Sequence, residues 1–320
     1  MTLHTLSATP ETIVWGRFAA NQTPVLTVES GDTVVIETFN GGAYAFPPEG
    51  SGMHLSEMQR AIDTAPTPGG RPGHLLTGPV AIAGAEPGDV LEVRIDKVEL
   101  GADWGFNGFS PLGGTLAGDF GLSRTITHLP IDRTNNIASF VHGIKFNLAP
   151  FFGVMGVAPP AGFGEITSIE PRLHGGNMDN KLLTAGSTLW LPVWAEGALF
   201  SCGDGHGIQG DGEVCINGLE MALTGTFTFI LHKKSEMTLS YPRAETPDYL
   251  ISMGFHADLD DAPVIALREM IVIICERSNL NPTEAYQLCS LAVDFAITQS
   301  VNNEKGVHGK IAKSLLSVKS

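Results

Sequence analysis

Cysteine is scarce in this 320-residue chain: the four residues, Cys202, Cys215, Cys275 and Cys289, show neither CxxC spacing nor the density of a disulfide scaffold. They read as reduced thiols, most of them small core residues. Basic residues are also few, 19 against 34 acidic ones, and the resulting net charge of −15 repels phosphate backbones and anionic membrane surfaces. Neither nucleic acid nor membrane is therefore expected as a partner. No run of about 18 uninterrupted apolar residues occurs. The opening MTLHTLSATPETIVWGRF lacks the basic and apolar regions of a secretory leader, so a cytoplasmic address is expected. The GxSxG elbow of serine hydrolases is missing as well.

Glycine and proline, by contrast, are abundant: 38 and 20 residues punctuate the chain at short intervals, which suits many short strands joined by turns. With 43% hydrophobic residues and no repeat or linker, residues 1–320 read as one compact domain, with a mainly β body over 1–253 and a helical part over 254–320. TPVLTVESGDTVVIET (23–38) gives two strands around a Ser-Gly-Asp turn, and LEVRIDKVEL (91–100) sets Leu91, Val93 and Ile95 against Glu92, Arg94 and Asp96. STLWLPVWAEGALFSC is apolar almost throughout, as in strands buried on both faces, and TFTFILH continues the β pattern. Residues 41–73 and 101–121 read as long loops. After residue 253, DLDDAPVIALREMIVIICERSN and NPTEAYQLCSLAVDFAITQSVN predict two antiparallel helices joined around 278–282 and packed on the β body or on a second subunit.

The densest chemistry lies in SCGDGHGIQGDGEV, residues 201–214, where Asp204, His206, Asp211 and Glu213 stand among five glycines. Two residues apart on a strand end, Asp204 and His206 face one way and reach a single ion. Upstream, PRLHGGNMDN offers His174, Asn177 and Asp179 beside paired glycines that admit close approach. Imidazole and carboxylate ligands with an open position suit a catalytic divalent metal, zinc first, with iron or manganese as alternatives. Glu213 is placed to take a proton from water and return it to a leaving group. The structural alternative is a polar surface loop or a calcium-type turn cluster. His54, His74, His142 and His308 stand in or near loops and line a pocket or serve as hydrogen-bonded structural residues. A thioester route through Cys202 finds no support: it ends an apolar run, and the nearest preceding lysine is Lys181. The WGFNGF segment, with Trp104, reads equally as a pocket wall or lid and as a plug on a sheet edge.

HGGNMDNKLLTAGSTLWLPVWAEGALFSCGDGHGIQGDGEVCINGLEM strongly resembles the signature region of the acetamidase/formamidase family. LTGPVAIAGAEPGDVLEV, ADWGFNGF, FFGVMGVAPP and TQSVNNEKGVHGKIAKSL resemble family segments in family order, so the likeness spans nearly the whole chain. Gly205 departs from the pattern, where a bulkier residue is frequent. The resemblance implies a mainly β, CUB-like sandwich or barrel-like body with added helices, α+β overall, and commonly a homodimer. It implies hydrolysis of short aliphatic amides, formamide or acetamide, to a carboxylate and ammonia. The expected divalent ion, zinc with iron, manganese or calcium as alternatives, is held by His174, Asp179, Asp204 and His206. Glu213 is then the general base and acid, Asn177 and Gln209 orient the amide, and Trp104 contacts substrate. Asp211 falls within the motif without an assigned role. A non-catalytic sandwich that binds a metal or small ligand is the alternative.

Overall fold

The computed structural model describes residues 1–67, 70 and 73–316. Where the sequence alternates, strands form as expected: in Thr33–Thr38 every second residue is buried, and Leu91, Val93 and Ile95 of Val90–Leu100 are wholly inside. These two strands flank Leu223–His232 in a nine-stranded sheet. Its order is Leu3–Leu6, Thr33–Thr38, Leu223–His232, Val90–Leu100, Thr188–Pro192, Arg243–Glu245, Tyr249–His256, Lys305–Ala312 and Asp294–Gln299.

A six-stranded sheet packs against it, ordered Gly175–Asn177, Phe151–Gly156, Phe200–His206, Leu75–Ile82 and Ile13–Trp15, with Leu26–Val28 parallel to Leu75–Ile82. The two sheets meet through aromatics. Phe152 and Phe200 of the smaller sheet approach Phe227 of the larger at centroid distances of 5.4 and 5.8 Å. Such rings bury the largest apolar area per residue, so this seam is the core of a β-sandwich. The strands read from residues 23–38 form, but they do not pair: Leu26–Val28 joins one sheet and Thr33–Thr38 the other. The long apolar run divides in the same way, Thr188–Pro192 on the large sheet and Phe200–His206 on the small one.

Three expectations are corrected. Trp104–Phe109 is a strand rather than a loop, paired antiparallel with Thr125–Asp132 in a four-stranded sheet that continues through Ile137–Ser139 and Lys145–Asn147. Two glycines among its aromatics hide the alternation that buries Trp104 and Phe106. Residues 41–73 carry helix α1, Glu57–Thr64, which buries Gln59 and Ile62.

The C-terminal part is not all helical. Helix α2 spans Asp261–Arg277 and helix α3 spans only Pro282–Ala292, opened by a capping box in which Asn281 and Glu284 satisfy each other's backbone N–H groups. The chain then turns extended at Val293, and Asp294–Gln299 pairs with Lys305–Ala312. Apolar spacing alone fits either form there, and the waiting sheet edge decides. Met270, Ile273 and Ile274 of α2 pack with Ala285 and Cys289 of α3 and with Leu250 and Ile311 of the large sheet. Among the described residues no helix is long and apolar enough to cross a membrane, and all four cysteines are free.

Candidate functional site

The Phe200–His206 strand is buried along its whole length and delivers Asp204 and His206 to one end of the small sheet. Asp204 has φ +56°, Glu213 +44° and Asp179 +45°, so three site carboxylates sit in the left-handed region that side chains seldom adopt. Strain of this kind persists where the surroundings over-determine it, commonly at functional sites. Two glycines make the room. A Cβ on Gly153 would lie 2.5 Å from both Asp179 Oδ1 and Asp204 Oδ2, and one on Gly205 would lie 2.5 Å from the Met221 carbonyl. A bulkier residue at that second position therefore has no space in this chain.

His206 is the centre of the cluster. Its Nε2 lies 3.0 Å from Glu220 Oε1, 3.5 Å from Asp204 Oδ2 and 3.9 Å from Glu213 Oε1, yet it lacks an aligned hydrogen bond. On its other side Nδ1–H donates to Gln209 Oε1 at 2.8 Å, and the ring stands edge-on to Phe151. That bond fixes Nδ1 as the donor to Gln209 and leaves Nε2 facing the acids. Glu220 is held by Asn40 Nδ2 at 2.6 Å and by the Gly218 N–H at 2.9 Å, and Asp179 Oδ2 accepts from Asn302 Nδ2 at 2.7 Å. His74 Nε2 stands 3.9 Å from Asp204 Oδ2 while its Nδ1 meets Ser168 Oγ at 2.8 Å.

Four buried carboxylates around one imidazole are electrostatically costly. Burial pushes Asp179 up to about 7, with Asp204 adding to the rise against the pull of His206. Burial also raises Glu213 well above the carboxylate range, helped by Asp179, and it raises Glu220. For Asp204 burial acts upward too, but His74 and His206 together hold it below the usual range. Burial lowers His206, and the charges of Glu220 and Asp204 outweigh it to raise the imidazolium well above its ordinary value. Protonation is one way to relieve such a cluster, and a bound cation is the other.

The donor set fits a cation. Asp179 Oδ1, His206 Nε2 and Glu213 Oε2 are buried without a hydrogen-bond partner, which native structures rarely leave unexplained. Ligand atoms of Asp179, His206 and Glu213 lie within 4.8 Å of one another, as do those of Asp204, His206 and Glu220. A cavity of about 550 Å³ opens onto Asp204, Glu213, Glu220 and Asn177.

The structure brings together Asp179, Asp204, His206 and Glu213, but it places His174 outside both groups. That ring is fully buried, edge-on to Phe18 at 5.0 Å, with both nitrogens unpartnered, and burial pulls its pKa down to about 3. Gln209 cannot reach a substrate as expected, because its amide is consumed by His206 and by the carbonyls of Asp179 and Thr298. Trp104 lies off this cavity, its indole N–H donating to the His54 carbonyl. Asp211 is half exposed and paired with Lys181 at 3.0 Å. His142 is exposed, and His308 is buried on Lys305–Ala312, away from the cavity lining. Burial raises the Cys202 thiol far above the range of a nucleophile. Sequence reasoning missed Glu220, Asn40 and Asn302. The INGLEM segment that carries Glu220 stood inside the quoted signature, but a glutamate between apolar residues gives no ligand signal by spacing.

The profile of the acetamidase/formamidase family matches residues 4–167 and 163–307. A formamidase of Methylophilus methylotrophus is 30% identical over 200 residues, 47% of this chain and 49% of that protein. An acetamidase of Mycolicibacterium smegmatis is 29% identical over 215 residues, 48% of this chain and 51% of that protein. The chain thus spans about half the length of these curated relatives in its matches. Among solved structures, an acetamidase from Bacillus halodurans superposes with a TM-score of 0.82 at 29% identity, covering 97% of this chain and 98% of that one.

Proposed function

The chain belongs to the acetamidase/formamidase family, and from that premise we propose that it hydrolyses a small carboxylic amide to a carboxylate and ammonia with the help of a divalent cation. The observation that carries the proposal is the gathering of four buried carboxylates around His206, with Asp179 Oδ1, His206 Nε2 and Glu213 Oε2 unpartnered, beside an open cavity that Asp204, Glu213 and Glu220 line.

Asp204, His206 and Glu220 form the proposed seat, since Asp204 and Glu220 line the cavity and Glu220 is already aimed by Asn40 and the Gly218 N–H. One imidazole with carboxylate oxygens admits zinc, with iron or manganese as alternatives, and its carboxylate share favours manganese more than a multi-histidine site would. A divalent ion bound there acidifies a water and polarises an amide carbonyl oxygen. Glu213 lines the same cavity with Oε2 unpartnered, so it is free to take the proton of the attacking water and return it to the departing nitrogen. Asn177 Oδ1 is likewise unpartnered, while its Nδ2 is anchored on the Ile169 carbonyl, which leaves an acceptor for the substrate N–H. Gln209 fixes the tautomer of His206. Water adds to the carbonyl carbon, the C–N bond breaks, and acid and ammonia leave. Assembly as a homodimer belongs to the same proposal, with light scattering as its check.

A second seat, Asp179 with His206 and Glu213, is favoured by the unpartnered Asp179 Oδ1. Metal content and ammonia release from formamide and acetamide separate the two. With Asp204 and Glu220 as ligands, Glu220→Gln loses metal and turnover together, whereas Glu213→Gln keeps its metal and loses about 100-fold or more in kcat. Metal loss in Glu213→Gln assigns it to the ligands instead. If chelation lowers the Tm while no amide is turned over at any metal loading, the amidase reading fails and a binding module stands in its place.

A further inference from the structure

We propose that the outer part of the cavity is an acyl subsite closed by an anion clamp, Arg124, and that the preferred substrate is an amide whose acyl chain ends in a carboxylate. The inference rests on the amidase reading and goes beyond it by naming the substrate class. Acetamide has four heavy atoms, whereas a cavity of about 550 Å³ falls within the ~300–1,000 Å³ that encloses ligands several times larger. The surplus volume has a defined wall. Glu220, at the acid cluster, exchanges backbone hydrogen bonds of 2.9 and 2.8 Å with Phe106. The Phe106 ring meets the Tyr44 ring edge-on at 6.4 Å, and the Arg124 guanidinium lies 4.5 Å over the face of Tyr44.

Among the described residues that line the cavity, Arg124 is the single lysine or arginine, in a lining that also holds Asp63, Asp204, Glu213 and Glu220. Its Nε–H donates to Ser110 Oγ at 3.2 Å, and no carboxylate among the described residues pairs with it. Held over one ring and bonded at Nε, the guanidinium keeps its Nη groups for a bidentate partner. Because the aromatic face of Tyr44 is already covered, the outer end offers charge rather than stacking. A short neutral amide would leave this cation unused. An amide with an apolar chain and a terminal carboxylate fills the Phe106 and Tyr44 wall and ends on Arg124, with the acid cluster reserved for the scissile group.

The test compares adipamic acid, hexanamide and acetamide with the metal-loaded wild type and Arg124→Gln, by kcat/KM for ammonia release. The expected result is a preference of about 10-fold or more for adipamic acid over hexanamide, lost in Arg124→Gln, whose effect on adipamic acid exceeds that on acetamide by the same factor. Equal kcat/KM for the two six-carbon amides in the wild type, or an equal loss on all three in the variant, overturns the clamp while leaving the amidase reading intact. Calorimetric binding of adipamate and hexanamide reads the subsite without turnover. Tighter adipamate binding that Arg124→Gln abolishes supports it even if no amide is cleaved, and equal binding refutes it.

Discussion

His206 and His174 are both sealed from solvent, yet the fold surrounds them with opposite chemistry. Around His206 stand Glu220, Asp204 and Glu213 within 4 Å of Nε2, and the charge of Glu220 and Asp204 overcomes burial to favour the imidazolium. Around His174 stand the edge of Phe18 and the backbone near Gly176, and burial acts with nothing to oppose it, so the ring stays neutral to about pH 3. Desolvation is common to the two; neighbouring charge separates them. A histidine beside glycines is thus an equally good ligand candidate in both places on paper, and only one has partners that a cation can share.

The largest effect should come from closing the space between the acids. Gly153→Ala puts a methyl group 2.5 Å from Asp179 Oδ1 and Asp204 Oδ2, so metal uptake and kcat should fall by about 100-fold or more, because misplacement by about 1 Å is enough to cost that much. Full activity with normal metal content would mean that the two carboxylates need not converge. The histidine contrast comes next. His206→Leu should abolish metal binding, measured by elemental analysis, while His174→Leu should keep its metal and stay within about threefold of wild-type kcat, as expected where no contact to the reacting groups is lost. Loss of metal in His174→Leu would restore it to the ligand set.

A smaller effect sharpens the same contrast through pH. The folded-state pKa of His174 is depressed from 6.5 to about 3, so its neutral burial contributes stability that is complete above the unfolded value and is lost as pH falls toward the folded one. Urea midpoints at pH 7 and pH 4.5 should show the wild type losing roughly 2 kcal/mol more than His174→Leu over that interval. Equal losses would mean that His174 already reaches water or a partner.

Much of the sandwich could be read in advance. Period-2 burial in Thr33–Thr38 and Val90–Leu100 needs only the pleat, and the start of α3 needs only Asn281, Pro282 and Glu284 in order. Trp104–Phe109 and Asp294–Gln299 escaped because each is a strand by virtue of its partner, the first obscured by glycine and the second by spacing that also fits a helix. Of the site, Asp204 and His206 were legible because two residues on one strand are brought together by local geometry alone.

Residue order by itself determined the short-strand character, the glycine-flanked Asp and His of one sheet end, and a composition unsuited to polyanions. Tertiary structure decided that Glu220, Asn40 and Asn302 join the cluster, that His174, Trp104 and Gln209 do not line the cavity, and that Arg124 does. The physical reason is distance along the chain. Asn40 and Glu220 meet at 2.6 Å across 180 residues, and such a contact is set by which strands pair, which no local spacing encodes.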